Sequence, residues 1–351
     1  MNVLKIDKND WSAGVEKSRS DYRLVGPVKE KQYHKFMELG EGQLPDMAYS
    51  ESRLSPKSIV FPQSEVMFTY ITDMTKEDHH ILKRPEKAYP ARAIIGIRPF
   101  DAKAIQLVKL NYHTPDYRDP YWCDAYDACT FIGLAINEPD PTDFSTSCGT
   151  GPFDETGLDI LLVDAGDHYL AKVLTDKGEA YATAAGFSAD AGAEAEATID
   201  AMRTAAEGKI KSTITFDTIA KRQIMELHAA PFWEDVSFAC LNCGTCTYVC
   251  PTCWCFDIQD ENFGAKGVRT RNWDTCMEGL FTEHGSGHNP REKKVQRVRQ
   301  RFMHKLKYFM DKYNQGIMCV GCGRCVKQCP VNIDIRKVCE IMNNYEPPAA
   351  G

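Results

Sequence analysis

The sequence predicts an α+β protein in two parts, an N-terminal α+β domain over residues 1–213 and a helical domain over residues 214–345 folded around cysteines. Three observations carry this. Short apolar runs alternate with turn signals and helical stretches through the first part. Two near-identical cysteine runs follow, Cys240, Cys243, Cys246 and Cys250 before Pro251, and Cys319, Cys322, Cys325 and Cys329 before Pro330. Much of the long segment between the runs has apolar residues at helical spacing.

Taken in order, residues 58–61, 93–98, 130–136, 160–163 and 169–173 read as strands, being short apolar runs bounded by turn residues. Residues 101–110 read as a helix, and so does the Ala/Glu-rich run 189–207, whose intrinsic helix preference is high. Gly149, Gly151 and Gly157 cluster around Pro152 without a strand-turn-helix frame, which marks an ordinary turn. With no full Gly-x-Gly-x-x-Gly and no Walker loop, nothing here handles a nucleotide on its own account. Residues 215–238 read as a helix interrupted near Pro231. Asn289 and Pro290 fit the N-cap and first residue of a helix on which Val295, Val298, Phe302, Leu306, Phe309 and Tyr313 recur. Residues 346–351 form a flexible tail.

Each cysteine run reads Cys-x-x-Cys-x-x-Cys-x-x-x-Cys-Pro, the spacing of bacterial ferredoxins with two [4Fe–4S] cubanes. Three closely spaced thiolates wrap three corners of one cube, and the cysteine before the proline ligates the other cluster. Cluster one therefore takes Cys240, Cys243, Cys246 and Cys329, and cluster two takes Cys319, Cys322, Cys325 and Cys250. All eight are metal ligands, and no residue is assigned a catalytic role. Gly244 and Gly323 each follow the second cysteine of a run, where a residue without Cβ lets the backbone turn tightly and aim N–H groups at sulfur. Structural zinc is the plainer alternative for paired Cys-x-x-Cys motifs, but a zinc shell has no use for a third cysteine and a Cys-Pro, twice over.

Composition agrees. A chain of 351 residues, 43% hydrophobic and 26% charged, is long enough for two globular domains. Fifteen cysteines without an apolar leader in residues 1–11 point to the cytoplasm rather than to a secreted disulfide scaffold. No apolar stretch is long enough for a membrane-spanning helix. A net charge of −7 argues against nucleic acid as a partner. Basic charge gathers in residues 291–312, including Arg297, Arg301 and Lys305. Such a face is a solvated helix surface, or else it docks an acidic partner or offsets the charge of anionic clusters.

The string from Cys240 to Phe256, with its Cys-Pro-Thr-Cys-Trp-Cys segment, followed by Arg271-Asn-Trp-Asp-Thr-Cys276, Asn289-Pro-Arg291 and Cys319-Val-Gly-Cys-Gly-Arg-Cys325, resembles one family. It comprises the beta-type iron–sulfur subunits of cytoplasmic sulfhydrogenases and the A subunit of anaerobic sulfite reductase, with related subunits in heterodisulfide-reductase-type complexes. Gly26-Pro-Val28, Ser55-Pro-Lys57, Phe61-Pro-Gln63, Gly96-Ile-Arg-Pro-Phe-Asp101, Asp119-Pro-Tyr121 and Ser147-Cys-Gly149 look like its N-terminal landmarks. The resemblance implies an electron-transfer subunit of an anaerobic multi-subunit oxidoreductase, relaying single electrons between a flavin- or nucleotide-binding partner and a catalytic subunit. A self-sufficient iron–sulfur enzyme or regulator is the alternative. Many relatives carry further cysteines where this chain has Phe100 and residues 143–145. Here Cys123, Cys129 and Cys148 lie nearby, either as buried thiols or converging with a fourth ligand. Cys253, Cys255 and Cys276 either pack, line the cluster pocket or replace a ligand, and Cys339 reads as core.

Overall fold

A computed structural model describes residues 2–347; the flexible tail expected at the C-terminus lies, from residue 348, outside the described residues. The fold is α+β. Strands β1 (Asn2–Asp7), β2 (Arg23–Glu30), β3 (Tyr33–Glu38), β4 (Ser64–Ile71), β5 (Arg92–Ile97), β6 (Cys129–Leu134), β7 (Ile160–Asp164) and β8 (His168–Val173) come first. All but β4 form one seven-stranded sheet in the order β1-β8-β7-β6-β5-β2-β3. Its middle is parallel, with Ile94 opposite Phe131 and Ile132 opposite Ile160. Parallel strands are covered on both faces, which is why residues 93–97 form an unbroken apolar run. Ile94, Phe131 and Leu161 enter one layer of core while Ile95, Ile132 and Leu162 enter the other.

Five helices supply those layers: α1 (Lys8–Lys17), α2 (Pro99–Tyr112), α3 (Pro120–Asp127), α4 (Asp176–Ala185) and α5 (Ala195–Glu207). Trp11 and Val15 of α1 and Tyr181 of α4 cover one face; Ile105 and Val108 of α2, Trp122 of α3 and Ile199 of α5 cover the other. Helix α2 begins directly after β5, with Pro99 in its first turn, where the missing N–H costs nothing. Phe100 and Asp101 are thereby placed at the carboxyl end of the parallel strands.

The C-terminal part is mostly short helices: α6 (Asp217–Lys221), α7 (Ile224–His228), α8 (Phe232–Phe238), α9 (Thr245–Tyr248), α10 (Lys294–Met303), α11 (Phe309–Tyr313), α12 (Arg324–Lys327) and α13 (Ile335–Asn344). Trp233, Phe302, Leu306, Val338 and Met342 make their shared core. Residues 335, 338, 339 and 342 recur at helical spacing, and Asp334 caps α13 by accepting from the Arg336 N–H at 2.8 Å.

Four expectations differ from what is found. Residues 58–61 are not a strand: Pro56 opens a 3₁₀ turn and the Phe61 N–H returns to the Lys57 carbonyl at 2.8 Å. The helix expected from 189 starts only at Ala195, after Gly192 in the left-handed region at φ 84°. Asn289 and Pro290 belong to a turn, Asn289 Oδ1 accepting from the Arg291 N–H at 2.9 Å, and α10 begins at Lys294. The segment between the cysteine runs is not mainly helical, because β9 (Phe256–Phe263) and β10 (Lys266–Trp273) form a hairpin turning at Gly264. This hairpin joins β4 in a second sheet, order β4-β10-β9, so residues 64–71 and 266–273 pair across the expected domain boundary. Arg271 secures the junction from a buried position, donating to Glu65 at 2.6 Å and Asp119 at 2.7 Å.

Candidate metal centre

Both cysteine runs take the same backbone course. Asn242 and Gly244 in the first, and Gly321 and Gly323 in the second, all have positive φ, between 55° and 74°. Each left-handed pair brackets the second cysteine, and a short helix, α9 or α12, follows at once with the third cysteine inside it. Consecutive tight turns aim main-chain N–H groups inward. Two are already on sulfur: Asn242 N–H donates to Cys240 Sγ at 3.4 Å and Ile333 N–H to Cys329 Sγ at 3.2 Å.

Cys240, Cys243, Cys246 and Cys329 line one cavity, roofed by Met277, Val298 and Phe302. Cys250 lies outside that cavity and is buried, its Sγ 3.3 Å from Thr252 Oγ1, which donates to Met318 O just before the second run. Cys329 thus shares a cavity with the first three cysteines of the first run, and Cys250 does not line it. Among the described residues no three His, Cys, Asp or Glu side chains converge on a point, as they would around a single ion. Separated thiols around a cavity suit the spaced corners of a cubane instead, and the residues present fit that group.

The N-terminal part clamps the second run. The loop after β6 lies against it, with Phe144 N–H donating to Gly321 O at 2.9 Å, and a Cβ on Gly321 would come within 2.5 Å of the Ser145 backbone. Phe100 packs with Val320 and Cys322. Below them Arg324 is buried in a fork with Asp101, at 2.6 and 2.7 Å, and also donates to Ser52 O at 3.0 Å. Burial works against the Arg324 charge, but Asp101 and Glu51 outweigh it and hold the guanidinium protonated. Gly321→Ala is expected to cost at least about 1–2 kcal/mol from the left-handed backbone alone. Iron should leave the second run before the first, as followed by anaerobic iron release to a chelator.

Buried cations surround the sulfur. Lys57 donates to the carbonyls of Thr247, Cys250 and Cys253 at 3.3, 3.0 and 2.9 Å, fixing the turn after the first run. Lys305 donates to Thr252 Oγ1 at 2.6 Å, and Thr252 Oγ1 in turn to Met318 O at 2.9 Å. Arg301 is only 3% exposed, and its Nε and Nη1 have no hydrogen-bond partner. Burial opposes its charge too, but thiolates of both runs, Cys246 and Cys325 foremost, hold it protonated. For Arg301, Lys305 and Lys307 the solvated-face and docking readings of 291–312 are therefore corrected: these side chains are buried. Val298, Arg301, Phe302 and Lys305 recur at helical spacing on one buried face, and a π-helical turn follows at His304–Tyr308 between α10 and α11. The wider turn shifts the faces out of regular α register, and the Lys305 carbonyl accepts from Met318 N–H at 2.8 Å, just before Cys319.

The remaining cysteines divide. Cys123 and Cys129 sit in the core under α2 and α3, donating to the carbonyls of Tyr112 and Ala125. Cys148 is elsewhere, its thiol within hydrogen-bonding reach of Cys319, so the three do not converge. Cys339 is core, donating to Thr215 O at 3.3 Å. Cys253, Cys255 and Cys276 line a further cavity of about 330 Å³ beside the first run. The sequence reading missed Lys57, Glu51, Asp101 and Arg324 as parts of the site, while for Arg301 its reading of basic charge offsetting the clusters agrees with the burial found. Its signals were Ser55-Pro-Lys57 and the Pro-Phe-Asp101 landmark, whose role only the fold reveals.

Residues 239–333 match the family described as 4Fe-4S dicluster domain. Over 349 residues, 96% of this chain and 97% of the relative, the sequence is 27% identical to sulfhydrogenase 2 subunit beta of Pyrococcus furiosus. No solved structure matches the chain. No helix among the described residues is long and apolar enough to cross a membrane.

Proposed function

We propose that this chain, which carries a 4Fe-4S dicluster domain and resembles beta-type iron–sulfur subunits along nearly its whole length, is the electron-relay subunit of a multi-subunit oxidoreductase. It passes single electrons between a flavin- or nucleotide-binding partner and a catalytic partner of the hydrogenase, sulfite reductase or heterodisulfide reductase type, in the cytoplasm. What supports this is that Cys329 shares the cavity of the first run, while Cys250 lies outside it and is linked through Thr252 to Met318, next to the second run. When bound, the two clusters supply reversible one-electron storage.

The chain's residues set the conditions for that storage. Arg301 and Lys305 place positive charge next to the thiolates, which favours the reduced, more anionic form. Phe100, Phe144 and Val320 exclude water from the second run. The first run is near the surface: Cys243 is exposed, and beside it Phe238 and Leu241 are 84% and 65% exposed. An apolar rim around an exposed ligand is where a partner's redox centre can approach. On this reading residues 1–213 serve as scaffold and docking platform and residues 214–345 as the dicluster part, with no catalytic residue in the chain.

Cys250→Ala tests the assignment. It should remove about four irons per chain, from the cluster held by Cys319, Cys322 and Cys325, and abolish the spin–spin interaction in the EPR spectrum of the reduced protein. Loss confined to the cluster of Cys240, Cys243 and Cys246 would show that the runs do not exchange ligands.

A further inference from the structure

The cavity beside the first run holds three thiols that the eight-ligand assignment leaves over. Cys253, Cys255 and Cys276 all line it, brought together because the chain turns sharply after Pro251 and then returns along β10 to Cys276. The cavity encloses about 330 Å³. Arg301, Lys305 and His304 line it as well. Arg301 is nine-tenths buried and its Nε and Nη1 have no hydrogen-bond partner, so unsatisfied donors belong to a residue that lines this cavity and that of the first run. Such groups cost about 1–3 kcal/mol each when left unsatisfied in the interior. Three thiols with two buried cations describe a receptor for an anionic, thiolate-ligated group.

We propose that Cys253, Cys255 and Cys276 hold a third iron–sulfur centre, with its fourth corner facing the cavity beside His304. This rests on the two-cluster relay reading, to which it adds a further station. Zinc is the weaker occupant, since a tetrahedral shell needs four ligands converging on one point, and these thiols do not converge. The thiolates of the two runs, Cys246 and Cys325 foremost, answer part of the Arg301 charge, and a neutral packing role adds no counter-charge beside this cavity. A centre with three thiolates supplies that counter-charge, and Arg301, which also lines the cavity of the first run, then lies between two anionic groups.

The test is the metal content of the anaerobically purified full chain. About twelve irons and twelve sulfides per chain are expected in the wild type, falling to about eight in Cys255→Ser/Cys276→Ser, with the spin–spin interaction of the two ferredoxin-type clusters retained. A wild type holding about eight irons, with the double variant unchanged, overturns the third centre while leaving the relay reading intact. A disulfide between Cys255 and Cys276 in the native protein, shown by mass after alkylation, overturns it as well. If the double variant does not fold, native mass spectrometry of the wild type decides: a mass increment of three clusters supports the proposal and of two refutes it. A chain holding zinc and no iron would remove the relay reading and the third centre together.

Discussion

Replacing Arg324 by methionine is expected to lower the unfolding free energy by about 3–5 kcal/mol, the range for stranding one member of a buried ion pair. Arg324 and Asp101 are each 1% exposed and joined by two hydrogen bonds. Removing the guanidinium leaves the Asp101 carboxylate without its strongest partner and frees Ser52 O and Glu51 in the same pocket. Methionine keeps most of the volume, so the loss is electrostatic rather than a cavity effect. The double variant Arg324→Met/Asp101→Leu should recover a large part of it, because no charge is then stranded. Anaerobic urea denaturation of the three proteins checks this. A loss below about 1 kcal/mol for the single variant, the value of an exposed pair, would mean that water reaches the fork.

The second large effect is on potential. Arg301→Met should make both ferredoxin-type clusters harder to reduce, because Arg301 interacts with thiolates of the first run and of the second. One charge about 8 Å away at an effective dielectric of about 20 is worth roughly 2 kcal/mol, or about 90 mV for one electron. Arg301→Lys keeps the charge and should shift the potentials much less. Redox titration followed by EPR measures the difference. Potentials unchanged in the methionine variant would show that the charge is compensated by a group other than the clusters.

Much of the fold was legible in the sequence because it is written in short-range chemistry. The parallel strands announce themselves as apolar runs, α2 by its Pro99 start and apolar spacing, and the two cysteine runs by a spacing that few other structures use. What escaped was long-range. The alternation of Phe256 and Ile258 with Asp257 and Gln259 is a strand pattern, but β9 needs β10, and β10 needs β4, before it becomes a sheet. Arg301 and Lys305 look like surface charge by residue type, although they follow Val298 by three and seven residues on its buried face, and the π-turn at His304–Tyr308 has no composition signal. Lys57, Asp101 and Arg324 are ordinary polar residues until the fold brings strand ends and cysteine loops together.

The pairing of β4 with β10 has a consequence for how the chain is made. At about 5–20 residues per second, the ribosome finishes β10 roughly 10–40 s after β4. Through that interval β4 is a strand with an open edge, while the seven-stranded sheet around it can already close. Glu65 already has Lys87, 2.9 Å away in the finished fold, but lacks Arg271 until then. The last partner of the first-made half therefore arrives together with the first cysteine run, so the N-terminal half is completed only when the cluster-binding half is already being built.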